Sequence, residues 1–237
     1  MLNPLKLKMI LCKMLTVWII PSSKRKLVRE LLFQFSFEDY WRFKNAGYKI
    51  VSLGDSCLTR ALSVASGLKP RRFYGEKSCP FDLCRCNDIK RITELIDNDF
   101  SDFFKSIDLD AFPHDLELSL KQFQKRYQAR IQNFLDIQNS EKTVYYVYSN
   151  YDKVPDTDEI TRLYQVLKAK RGAKSFALVI LTNSYIDVPE IIQIPYDIQI
   201  NDSKAIEYII NRYQNYNNKY TVFCDYMKEK LKEIIHP

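Results

Sequence analysis

The chain has 237 residues, 46% hydrophobic and 14% aromatic, which is enough apolar material for a buried core and too much for a disordered segment. Lys and Arg outnumber Asp and Glu by 36 to 29, but residues 1–30 hold seven basic residues against Glu30 alone, and so carry six of the seven net positive charges. A near-neutral body excludes the basic face of a nucleic-acid binder, whereas a basic tail suits a negatively charged membrane surface.

Residues 1–46 read as a basic amphipathic segment and residues 47–237 as a single α/β domain. The apolar run over 9–20 is interrupted by Lys13 and falls short of the roughly 20 residues that a spanning helix needs. Pro21-Ser22-Ser23 leads straight into Lys24-Arg25-Lys26, unlike a secretory cleavage site. One expectation is an interfacial helix within residues 5–30, holding a cytoplasmic protein on the inner face of the membrane. The other is a helix packed on the body with its lysines solvated.

Residues 49–53 predict a short strand, and 58–67 a helix that Gly67 ends. After a polar loop, 88–104 and 116–137 space their apolar residues at helical intervals. The run over 143–148 is rich in β-formers, and 156–170 follows as a helix opened by a D-x-x-E cap at Asp156 and Glu159. Residues 176–181 are continuously apolar, as in a central parallel strand covered on both faces. A strand over 196–200, a helix over 203–213 and a closing helix over 220–235 complete the series. Strands alternating with helices predict a three-layer α/β fold around a mostly parallel sheet, with a helical middle segment.

Ligands of such sheets gather beyond the carboxyl ends of the strands. Three predicted strands end in polar clusters, Gly54-Asp55-Ser56-Cys57, Ser149-Asn150-Tyr151-Asp152 and Thr182-Asn183-Ser184, which would line one crevice. With five glycines in the chain and only Gly54 in the first strand-helix turn, no dinucleotide or P-loop cofactor is expected. No metal site is expected either. Cys79, Cys84 and Cys86 lack a paired C-x-x-C spacing, and His114 and His236 are the only histidines. The six cysteines read as reduced thiols.

Cys57 falls in the first turn of a helix, where free backbone N–H groups and the macrodipole favour a thiolate, although Asp55 works against it. Its base would be His114 in Phe112-Pro113-His114-Asp115, because His236 adjoins the C-terminus. The orienting acceptor could be Asp82, Asp152 or Asn183; Asp115 is disfavoured because adjacent side chains in extended backbone diverge. Residue types alone favour a capped helix with a buried, inert Cys57 and a surface His114.

The series SLGDSC at 52–57, Ser78-Cys79-Pro80-Phe81-Asp82, Asn98-Asp99-Phe100, Phe112-Pro113-His114-Asp115 and Tyr127-x-x-Arg130-Ile131-x-x-Phe134 resembles a bacterial family of papain-like cysteine peptidases over about residues 48–185. The resemblance implies Cys57 as nucleophile, His114 as base, and Asp82 as part of the family's Pro-Phe-Asp signature. Leu83 and Cys84 stand where that signature usually continues with an aromatic residue. A papain-like fold also implies an antiparallel barrel, whereas the pattern here predicts parallel units. Residues 19–29 are similar to leader segments of bacterial lipopolysaccharide and capsule enzymes, which implies a surface-glycan setting.

Gly54-Asp55-Ser56 after a strand resembles the first block of SGNH esterases and acyltransferases, with Ser56 as nucleophile. The chain lacks that family's C-terminal Asp-x-x-His pair. A further expectation is a non-catalytic glycan- or nucleotide-binding protein, with Tyr145, Tyr146, Tyr148 and Tyr151 as stacking surfaces or as sheet core. The sequence favours a thiol-dependent hydrolase or acyl transferase acting on a glycan or acyl-bearing substrate. Backbone N–H groups at Cys57 and Leu58 would stabilise its oxyanion.

Overall fold

The computed structural model describes residues 4–18, 25, 28, 32, 37–54, 57–65, 67–70, 74–85, 88–105, 108–149, 156–195 and 219–235. Helices α1 (Pro4–Leu15) and α2 (Phe37–Asn45) precede strand β1 (Tyr48–Leu53) and helix α3 (Cys57–Ala65). A 3-10 turn (Pro80–Leu83), α4 (Ile89–Asp97), a second 3-10 turn (Leu109–Ala111) and α5 (Leu120–Gln138) form the helical middle. Then come β2 (Thr143–Ser149), α6 (Thr157–Arg171), β3 (Phe176–Thr182), β4 (Ile192–Pro195) and α7 (Lys219–Ile235).

Among the described residues the sheet has the order β1-β2-β3-β4, and every pairing is parallel. Side chains alternate between its faces, as the two-residue period of a strand requires. Val51, Leu53, Val144, Tyr146, Tyr148, Leu178 and Ile180 face a core shared with α4, α5 and α6. Tyr48, Ile50, Val147, Val179, Leu181 and Ile194 face a second core closed by Leu62 of α3 and by Leu231 and Ile235 of α7. The result is three layers, as the alternating pattern predicts. Tyr146 and Tyr148 are fully buried and Tyr145 packs edge-on against Tyr48, so these tyrosines are sheet core; Tyr151 lies outside the described residues.

Several boundaries differ from the sequence reading. The helix expected over 88–104 stops at Asp97. Asn98 caps it, and Asp99 and Phe100 take positive φ of 51° and 62°, which swings the Phe100 ring between Phe81 and Phe134. Helix α5 begins at Leu120 because Ser119 and Gln122 form a capping box. Asp156 caps α6 through the Asp158 N–H, while Glu159 pairs with Lys90 at 3.3 Å. The fourth strand is Ile192–Pro195; residues 196–200 and 203–213, expected as strand and helix, lie outside the described residues.

Candidate active site

Strand β1 ends at Leu53 and the chain turns at Gly54, whose φ of +84° is left-handed. A Cβ there would lie 2.6 Å from Cε2 of Tyr148, so glycine is required both by the backbone angle and by the ring beneath it. Three residues on, α3 begins at Cys57. A hydrogen bond of 2.5 Å between the Thr59 and Ser149 hydroxyls, both buried, fastens its first turn to the end of β2. The backbone thus presents the N-terminus of α3 at the carboxyl edge of the sheet, and no acidic residue occupies its first turn. The N–H groups of that turn have no acceptor within the helix, and together with the macrodipole they favour an anion such as a thiolate or an oxyanion. Asp55 and Ser56 lie outside the described residues, as do the side chains of Cys57 and Leu58.

The parallel register brings the ends of β1, β2 and β3 to one edge: Leu53 lies beside Tyr148, and Ser149 beside Leu181. Beyond β3, Thr182 Oγ1 accepts the Ser184 N–H, and Asn183 is exposed. Asp152 lies outside the described residues.

His114 sits in the turn before α5, and its side chain is exposed. Helix α5 ends at the amino edge, where the Gln138 carbonyl meets Arg171, and Phe134 lies on Tyr146 as the helix crosses the sheet. Its first turn and the His114 turn therefore lie toward the carboxyl edge, the edge at which Cys57 also stands, although α5 covers the opposite face of the sheet from α3. The turn is held from beneath by Asp115, which is 4% exposed and accepts hydrogen bonds from Arg126, Tyr127 Oη (2.9 Å) and Arg130 (2.9 Å). Burial pushes the Asp115 carboxyl up, but Tyr127, Arg130 and Arg126 outweigh it and hold it below its ordinary range. Asp115 is buried and His114 exposed, but the two follow one another in a turn closed by the Asp115 N–H on the Phe112 carbonyl (2.9 Å), not in the extended backbone that the sequence reading assumes.

Asp82 is fully buried and committed elsewhere. Its Oδ1 accepts from Lys69 Nζ at 2.6 Å, and its Oδ2 from the Cys79 N–H at 2.7 Å. Lys69 also lies 3.4 Å from Glu76, which pairs in turn with Arg60. The Pro-Phe-Asp signature thus works as a structural clamp: Pro80 starts the 3-10 turn, Phe81 enters the aromatic core, and Asp82 neutralises a buried lysine. None of these contacts reaches His114. Burial, then the Asp82 charge, push the Cys79 thiol up, which disfavours its thiolate. Cys79 and Cys84 are buried, Cys86 lies outside the described residues, and among those described no cluster of metal-ligating side chains occurs.

The Lys69 cluster was not foreseen from the sequence. A lysine between Leu68 and Pro70 reads as a solvated loop residue, and its partners come from 7 and 13 positions away. It borders a cavity of about 250 Å³ lined by Tyr48, Lys49, Leu68, Lys69, Glu76 and Asp136, among others. This cavity opens near the start of β1, at the opposite end of the strand from Cys57.

A parallel α/β protein with a cysteine opening the first sheet-linked helix is the class that fold and site define. The family model described as "Putative papain-like cysteine peptidase" matches residues 48–112. The similarity spans β1, α3, the Pro80–Leu83 turn and α4. Cys57 and Asp82 fall inside the match, whereas His114 falls just beyond it. The match begins after residues 19–29, and none of the comparisons shows a likeness of that run to lipopolysaccharide or capsule enzymes. No curated protein and no solved structure matches the chain.

Proposed function

We propose that the protein is a thiol-dependent hydrolase or acyl transferase with Cys57 as nucleophile and His114 as base. The observation that carries this reading is the β1–Gly54–α3 junction, which sets Cys57 at the start of a helix on the carboxyl edge of a parallel sheet. The family match over residues 48–112 supports it.

In the reaction the Cys57 thiol gives its proton to His114, and the thiolate attacks a carbonyl carbon. The backbone N–H groups of Cys57 and Leu58 receive the negative oxygen. Collapse of the intermediate forms a thioester and expels an amine or alcohol, which takes the proton back from His114. Water or a second hydroxyl or amine, deprotonated by His114, then cleaves the thioester. His114 is carried by an exposed turn, and catalysis requires that turn to bring the imidazole within hydrogen-bond reach of the thiol. The buried free thiol of Cys79 fits a reducing compartment such as the cytoplasm. Peptide and acyl-glycan substrates both fit this chemistry, and the glycan setting draws only on residues 19–29.

The all-parallel sheet favours one second reading, an esterase or acyltransferase of SGNH type using Ser56. Incubating the intact protein with p-nitrophenyl acetate and mapping the acetylated residue by mass spectrometry separates the two. The proposal expects a Cys57 thioester that Cys57→Ala abolishes and Ser56→Ala leaves intact. Labelling at Ser56 would install the second reading, and labelling at neither would leave a non-catalytic binding protein.

A further inference from the structure

Helix α1 turns its apolar side away from the protein. Leu7, Ile10, Leu11, Met14 and Leu15 are all exposed, Met14 by 66%, and Trp18 just beyond the helix is 87% exposed. At about 100° per residue these positions form one stripe. Cys12 and Thr16, on the opposite side, are the buried ones, and Thr16 Oγ1 folds back onto the Cys12 carbonyl at 2.7 Å. A helix packed on a soluble body buries its apolar stripe, so the arrangement here is the reverse of the packed-helix expectation. A contiguous surface of this kind marks an interaction site.

Helix α2 repeats the arrangement. Phe37, Tyr40, Trp41 and Lys44 follow one another at i, i+3, i+4 and i+7, and all are exposed, Phe37 by 74% and Trp41 by 52%. The Lys44 ammonium lies 4.7 Å from the centre of the Trp41 ring. Aromatic rings beside lysine are the composition of a membrane-water interface, where the ring sits at headgroup level and the ammonium meets phosphate.

Three features select the occupant. Lys13 is exposed next to the α1 stripe, and Lys24, Arg25, Lys26 and Arg29 follow in the sequence, so the apolar surface lies inside the most positive part of the chain. No described helix is long and apolar enough to cross a membrane. At about 1.5 Å per residue the 12 residues of α1 also fall well short of a bilayer core. We infer that α1, with α2 as a second contact, lies flat on a bilayer containing anionic lipid, with its stripe in the headgroup-acyl boundary and its basic residues on lipid phosphates. The inference does not depend on the chemistry at Cys57.

Both tryptophans of the chain, Trp18 and Trp41, are on the proposed contact, so intrinsic fluorescence reports docking directly. The test adds vesicles of phosphatidylcholine alone, or mixed with phosphatidylglycerol, to the full chain, and follows co-sedimentation, emission wavelength and quenching by brominated acyl chains. The inference expects partition onto the mixed vesicles with blue-shifted, quenched emission, weakened by added salt. Leu11→Glu or Met14→Glu, both at exposed positions, should weaken partition by roughly tenfold, and Lys13→Glu by a few-fold. Trp18→Phe and Trp41→Phe assign the signal to each helix. No partition, equal partition onto the neutral vesicles, or a blue shift that appears without lipid as the protein self-associates would overturn it.

Discussion

Lys69 Nζ donates a hydrogen bond to Asp82 Oδ1 at 2.6 Å, and both side chains are almost completely excluded from solvent. A buried ion pair losing one partner leaves an uncompensated charge. Asp82→Asn should therefore destabilise the protein by about 3 kcal/mol, and Lys69→Met, which leaves Asp82 and Glu76 facing each other, by at least as much. Urea unfolding measures both. Because Asp82 acts here as a clamp, folded Asp82→Asn protein should keep the wild-type rate of Cys57 alkylation; a large loss of that rate would give Asp82 a part in the chemistry.

Gly54 sits on the Tyr148 ring with positive φ, so Gly54→Ala meets both a clash and a strained backbone. The expected cost is about 2 kcal/mol or more. Combining it with Tyr148→Leu should recover part of the loss, because the clash is relieved while the backbone angle is not. Thermal melts of the single and double variants check this, and an Ala variant as stable as the wild type would refute the close approach.

Asp115 sets part of the acid limit. Its carboxyl is held below its ordinary range, so its contribution is present above the unfolded value of about 3.9 and is lost as pH falls through the lower folded value. Asp115→Asn should lower stability near neutrality and flatten the decline between about pH 4 and pH 2. Melting temperatures across that range decide it; parallel curves for the two proteins would contradict the assignment.

Arg171, 2% exposed, donates to the carbonyls of Gln138, Ser140, Lys142 and Ser175, and so ties the loops before β2 and β3 together at the amino edge. A lysine cannot reproduce that fork. Arg171→Lys should cost about 2 kcal/mol or more, seen as a lower urea midpoint with an unchanged slope.

Much of the fold was legible because it depends on local pattern. Residues 176–181 show a buried parallel strand by their unbroken apolar run, and α5 shows its inward face through Phe123, Tyr127 and Phe134, whereas the exposure of Leu120 and the burial of Arg130 are not written in the apolar pattern. The break after Asp97 was not legible, since Phe100 leaves the helix to fill a gap between Phe81 and Phe134 that only the folded core creates. Strand β4 was missed because four residues ending in Pro195 carry a weaker signal than the alternating Tyr196-Asp197-Ile198-Gln199-Ile200 after them. At the site, Cys57 as a helix opener could be read from neighbouring residues. The burial of Asp82 on Lys69 could not, because it joins residues across a loop that the sequence shows only as polar.

The most direct test of the account is the pH dependence of Cys57 alkylation by iodoacetamide, mapped by mass spectrometry in wild-type and His114→Ala protein. Cys79, a buried thiol pushed up in pKa, should stay unlabelled until the protein unfolds and so serves as the internal control. The account predicts that Cys57 reacts selectively with an apparent pKa well below the roughly 8.5 of a free thiol, and that His114→Ala moves it back toward that value. A Cys57 that labels like an ordinary thiol, or that is indifferent to His114, would contradict it.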